Sequence, residues 1–105
     1  MLKINMEYRR GILFIRLKGE LTKFNYIDLI NYLTKIIREK GIKYLVLNLS
    51  HLSLVDNYGK DAIKTIISEV KRNSGRGLVC QTKINFEEKI RTIDSELSAM
   101  QILKV

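Results

Sequence analysis

The sequence predicts an α/β domain: a mixed, mostly parallel β-sheet of about four or five strands, opened by an antiparallel hairpin and covered by α-helices. Three observations predict it. Leu2, Ile4, Met6 and Tyr8 alternate with Lys3, Asn5, Glu7 and Arg9, the period of a strand with one apolar face. Tyr26, Leu29, Ile30, Leu33, Ile36 and Ile37 recur three or four residues apart, the stripe of an amphipathic helix. Tyr44-Leu45-Val46-Leu47-Asn48-Leu49 is apolar on both faces except at Asn48, which fits an interior strand of a parallel or mixed sheet.

Each element follows in order. Arg10-Gly11 turns the first strand into a second, Ile12 to Lys18, with Leu13, Ile15 and Leu17 on one face. Gly19-Glu20-Leu21-Thr22 leads into the first helix. Lys35, Arg38 and Lys40 suit the C-terminal end of its dipole, and Gly41 is its expected C-cap. After the interior strand, a short connection dotted with apolar residues reaches Asp56-Asn57-Tyr58-Gly59, where the second helix opens. Ala62, Ile63, Ile66, Ile67 and Val70 form its inward face. Asn73-Ser74-Gly75 ends it, and Gly77 to Gln81 reads as a short third interior strand. Asn85, with Glu87 and Glu88 in a first turn, reads as the capped start of a third helix. Phe86, Ile90, Ile93 and Leu97 would supply that helix's stripe. The tail, Gln101 to Val105, is short, and a final edge strand is the reading left open for it. The order β-β-α-β-α-β-α implies right-handed crossovers and a single domain over residues 1–105. No proline, linker composition or repeat interrupts it.

Composition narrows the function. A chain of 105 residues with 46% hydrophobic residues can build a core. No apolar run approaches the roughly 20 residues needed to cross a bilayer, and the N-terminus lacks the apolar core of a signal peptide. The single cysteine, Cys80, cannot form an intramolecular disulfide, so a reducing cytoplasm is expected. The net charge of +8 leans toward the first half, with ten basic and four acidic residues through Ser50. Along the chain it forms no block, and its lysines fall mostly on polar helix faces, as on a solvated surface.

Catalytic motifs are absent. His51 and Cys80 come from different strand ends, too few ligands for zinc. His51, read as a loop residue near Ser50, Ser53 and Asp56, has no G-x-S-x-G elbow beside it. No P-loop or G-x-G-x-x-G occurs. Neither an enzyme nor a cofactor is expected. The stretch from Tyr44 to Val70 carries the functional expectation instead, because a strand feeding a tight loop and a helix points backbone N–H groups outward, where negative charge is favoured.

These residues together resemble the STAS domain family, the fold of bacterial anti-sigma factor antagonists and of the cytoplasmic tails of sulfate transporters. Gly19-Glu20-Leu21 is similar to that family's G-E-L/I-D before the first long helix. Leu45-Val46-Leu47-Asn48-Leu49 resembles its central V-V-L-D-L strand. Val55-Asp56-Asn57-Tyr58-Gly59 is similar to the D-S-S/T-G at the start of its second helix. The resemblance implies a non-enzymatic protein-interaction module that binds an anti-sigma factor with serine kinase activity in partner switching. It also implies that the phospho-acceptor serine is replaced here by Asn57, which keeps an N-cap but has no hydroxyl. Such a protein is either fixed in its unphosphorylated, binding-competent form or divergent in its partner. Ser53, Asp56, Asn57, Tyr58, Gly59, Lys60 and Lys64 are the expected partner-binding residues. The alternative is a basic STAS-like module binding nucleic acid, an anionic surface, or an anion or nucleotide at the second helix's N-terminus. Nucleic acid is the less favoured partner, because the charge is dispersed and aromatic stacking residues are few. Self-association stays open, and no membrane insertion is expected.

Overall fold

The computed structural model describes residues 2–86 and 90–103. β1 (Leu2–Arg9) and β2 (Ile12–Leu21) pair antiparallel. α1 (Tyr26–Lys40) crosses to β3 (Tyr44–Val55), and α2 (Asn57–Arg72) crosses to β4 (Arg76–Cys80). β5 (Thr92–Ile93) and α3 (Glu96–Leu103) complete the described elements. The sheet order is β1-β2-β3-β4-β5, with every pairing after the first parallel.

Both crossovers step in the same direction along the sheet, so right-handedness places α1 and α2 on the same face. Leu13, Ile15, Leu17, Leu45, Leu47, Leu49 and Val79 point from the sheet into that layer, against Leu29, Leu33, Ile37, Ile63, Ile66 and Val70. The alternate residues Ile12, Phe14, Val46, Leu78 and Cys80 face the other way and pack against Ala99 and Leu103 of α3. A strand period of two thus feeds two apolar layers, which is why β2, β3 and β4 lack polar alternation. α1 stops where expected: Gly41 sits at φ 60°, where a Cβ is disfavoured, and Ile42 N–H bonds back to the Ile37 carbonyl at 3.1 Å.

Three expectations change. β3 runs on through residues 50–55, so His51 is a strand residue and not a loop residue. Those last residues pair with residues 18–21 of β2 across two register shifts, which absorb the extra residues of β3 as bulges. The third helix does not begin at Asn85, because Phe86, Ile90 and Arg91 lie outside helix and strand. Glu87 and Glu88, expected in its first turn, fall outside the described residues. The backbone of β4 wins this segment: Val79 N–H donates to the Arg91 carbonyl at 3.0 Å, and Gln81 N–H to the Ile93 carbonyl at 3.2 Å. Phe86 and Ile90 then pack on the α1/α2 side, Ile93 packs on the α3 side, and Leu97 stays exposed. The helix starts later, where the Ser95 hydroxyl accepts from Ser98 N–H at 3.1 Å. The third change follows from this: residues 101–103 are helical and form no edge strand. Lys104 and Val105, the rest of the expected edge strand, fall outside the described residues.

Candidate functional site

The parallel strands β2 and β3 end together, and their connections to α1 and α2 form one tip of the molecule. In open α/β sheets this carboxyl end is where ligands and partners are usually met. Asp56 ties the two connections together. Its carboxylate accepts from Gly59 N–H of α2 and from Lys23 N–H of the β2–α1 connection, both at 2.9 Å. Asp56, not Asn57, is therefore the N-cap, since its extended backbone lets its short side chain turn back on the first helical turn. Asn57 is the first helical residue, and it is exposed. Desolvation pushes the Asp56 carboxyl upward, but the Gly59 and Lys23 N–H donors outweigh it and hold it below the ordinary carboxylate value. The negative charge that a helix N-terminus favours is thus supplied by the chain itself.

Gly59 lies beneath the tip. A Cβ there would stand 2.3 Å from the Leu21 carbonyl oxygen and 2.9 Å from Val55 Cγ1. Only glycine lets α2 approach β2 this closely. Tyr58 is 49% exposed, and its ring packs 5.1 Å from that of Tyr26, linking the starts of α1 and α2. Lys60 and Lys64 line a 280 Å³ hollow with Asn57, Asp61, Asn85 and Phe86. Ser53 stands apart on β3, its hydroxyl donating to the Gly19 carbonyl at 3.1 Å. A larger cleft of 710 Å³ opens beside it, between the end of β3 and residues 81–84.

The structure thus gathers Asp56, Asn57, Tyr58, Lys60 and Lys64, buries Gly59 under them, and sets Ser53 to one side. It adds residues that sequence reasoning missed. Phe24 is 84% exposed and Ile27 53%, and both flank the tip from the start of α1. Their signal is that Ile27 falls off the apolar stripe of α1, so an aliphatic side chain faces water without helping the core.

Ser50 Oγ lies 2.9 Å from His51 Nδ1, but among the described residues no carboxylate contacts His51 to orient it. Burial pushes the Cys80 thiol up to about 11, so it stays protonated and packs as an apolar side chain. No His, Cys, Asp or Glu cluster among the described residues could hold a metal, and no described helix is long and apolar enough to cross a membrane.

A mixed five-stranded sheet with two helices on one face, a third on the other and a helix start at its carboxyl tip defines a small α/β module that presents a surface. Residues 3–98 match the STAS domain model, and the chain belongs to the STAS domain family. An anti-sigma F factor antagonist of Paenibacillus polymyxa is 29% identical over 79 residues, covering 75% of this chain and 68% of that protein. The solved structure of the anti-sigma factor antagonist SpoIIAA in its unphosphorylated form superposes with a TM-score of 0.80 at 19% identity, covering 97% of this chain and 98% of that one. The Bacillus cell fate determinant SpoIIAA in its phosphorylated form superposes with a TM-score of 0.76 at 18% identity, over 95% and 98% of the two chains. The chain is an anti-sigma factor antagonist-like STAS domain.

Proposed function

We propose that this protein is a non-enzymatic partner-switching module whose carboxyl tip binds an anti-sigma factor with serine kinase activity. The observation that carries the reading is the exposed Asn57 at the first position of α2, on the tip that also exposes Phe24, Ile27 and Tyr58. A cluster of exposed apolar and aromatic side chains around a polar centre has the composition of a protein contact. Asp56, Tyr58, Lys60 and Lys64 belong to this surface, Ser53 marks its outer border, and Gly59 supports it from below.

In this reading Asn57 stands where a phosphorylatable serine would act as the switch. A phosphate there would place nearly two negative charges in the centre of the contact, beside the Asp56 carboxylate. Asn57 cannot receive one, so its side chain keeps the neutral character of the unmodified, binding-competent form. The test is binding to anti-sigma kinases from the same organism, measured by calorimetry. Asn57→Asp is expected to weaken the complex at least about tenfold, because it adds an unpaired charge to the contact. Asn57→Ser is expected to become a kinase substrate that releases its partner when labelled. Unchanged affinity of Asn57→Asp would remove the tip from the contact, and an unlabelled Asn57→Ser would assign the protein a different partner.

A further inference from the structure

The end of the molecule opposite the tip gathers most of the net charge. Arg9, Ile12, Tyr44 and Arg76 are register partners across four adjacent strands, so the β1–β2 turn and the starts of β3 and β4 share one end. The helix C-termini close on the same place. Arg76 N–H donates to the Lys43 carbonyl at 2.7 Å, the Lys43 ammonium donates to the Asn73 carbonyl, and Asn73 Nδ2 donates to the Ile42 carbonyl at 3.1 Å. Residues 9–11, 38–43 and 69–76 together carry eight cationic side chains and two carboxylates, against +8 for the whole chain. One of those carboxylates, Glu69, is taken by Arg38 in a paired contact at 3.0 Å, with Arg72 at 3.8 Å. Arg10, Lys40, Lys71 and Arg76 have no carboxylate partner among the described residues. At the tip the segments 20–28 and 55–64 hold three cations and four carboxylates. The molecule is electrostatically polar along β3.

An apolar groove opens at this basic end. It has a volume of about 510 Å³ and is lined by Met6, Tyr8, Leu13, Ile36 and Ile42, with Lys40 at its rim. Met6 is 37% exposed and Tyr8 63%, both on β1 at the edge of the sheet. Cations around an exposed aliphatic and tyrosine cluster form an amphipathic surface, the composition that lies at the headgroup level of an anionic bilayer.

We infer that this end docks peripherally on an anionic lipid surface, with Met6 and Tyr8 seated at the interface and Arg10, Lys40, Lys71 and Arg76 meeting the headgroup phosphates. Charge complementarity selects an anionic occupant. The apolar groove favours lipid over a nucleic acid, which needs a charged track with several stacking aromatics; Tyr8 is the one strongly exposed aromatic lining this groove. Docking in this way leaves Asn57 facing away from the surface, because the twelve residues of β3 separate the two ends.

The experiment is co-sedimentation of the full chain with vesicles of phosphatidylcholine alone and of phosphatidylcholine with phosphatidylglycerol. Binding is expected only to the mixed vesicles, weakening steeply as salt rises above about 0.1 M. Arg10→Glu with Lys40→Glu is expected to cost roughly tenfold or more, and Met6→Ser with Tyr8→Ser to weaken binding with little change in its salt dependence. Lys18→Glu, outside the basic end, is expected to cost far less than that reversal. Each variant is first checked for native circular dichroism, and the preference of the unaltered chain for anionic vesicles is read without any variant. Absence of binding, equal binding to neutral vesicles, or equal losses from Lys18→Glu and the Arg10/Lys40 reversal would overturn the inference. Stronger retention of a single-stranded oligonucleotide than of anionic vesicles at the same salt would overturn it in favour of nucleic acid.

Discussion

Asn48, which stands where the resembled strand carries an aspartate, is explained by its contacts. Its Nδ2 donates to Glu96 Oε2 at 2.8 Å, while its Oδ1 accepts from Ser50 N–H at 3.0 Å. Glu96 also receives two N–H groups of the Arg16 guanidinium, at 2.8 and 2.7 Å, and Arg16 reaches Glu7 and Asn5 at 2.9 Å each. This network continues the α3 face of the sheet past Phe14 and Val46, so α3 is anchored by polar contacts at its start and by Ala99 and Leu103 beyond. An aspartate at 48 would face the Glu96 carboxylate and lose the donated hydrogen bond. Asn48→Asp is expected to destabilise the fold by about 1–3 kcal/mol, and Glu96→Gln in the same chain to recover much of that loss. Urea unfolding of the single and double variants checks it, and additive losses would contradict the pairing. In sequence Asn48 is visible only as a polar interruption of an apolar run; its partner lies 48 residues away and no local pattern announces it.

At the scale of elements, α1, β3 and α2 are legible because each carries its own period and its own stop. α2 begins within a residue of its expected start, but the capping residue is Asp56, since only the extended residue before the helix can turn its side chain back on Gly59. Gly59 then decides how closely α2 lies on β2. Gly59→Ala is expected to destabilise the protein by about 3 kcal/mol, because the added Cβ meets a backbone carbonyl that cannot swing aside as a side chain would. A denaturation midpoint equal to that of the unaltered chain would refute the close packing. The region after β4 fails as a sequence reading for the opposite reason. Its apolar residues sit at helical spacing, yet β4 needs hydrogen-bond partners along its open edge, and the segment through Thr92–Ile93 supplies them. Backbone satisfaction at a sheet edge overrides a helical period carried by so few apolar residues.

For the molecule as a whole, three paired or capped carboxylates set the response to acid. Hydrogen bonding from Arg38 lowers Glu69, hydrogen bonding from Arg16 lowers Glu96, and at Asp56 the backbone N–H donors outweigh desolvation. Groups with depressed folded values contribute stability that is complete above the ordinary carboxylate range and lost as pH falls through the folded values. The urea midpoint is therefore expected to be flat from neutral pH to about pH 5 and to fall below about pH 4; a midpoint unchanged down to about pH 3 would contradict these pairings. The sequence by itself determined the α/β class, the antiparallel opening, the two long helices and the place where the second one begins, because strand and helix periods, glycine stops and the break at residues 56–59 are local signals. Only the tertiary structure decided that Asp56 joins two connections, that exposed Phe24 and Ile27 share the tip with Asn57, and that charge scattered along the chain collects at one end. Those facts depend on strand register and on parallel crossovers, which bring turns from distant parts of the chain together and leave no trace in the spacing of neighbouring residues.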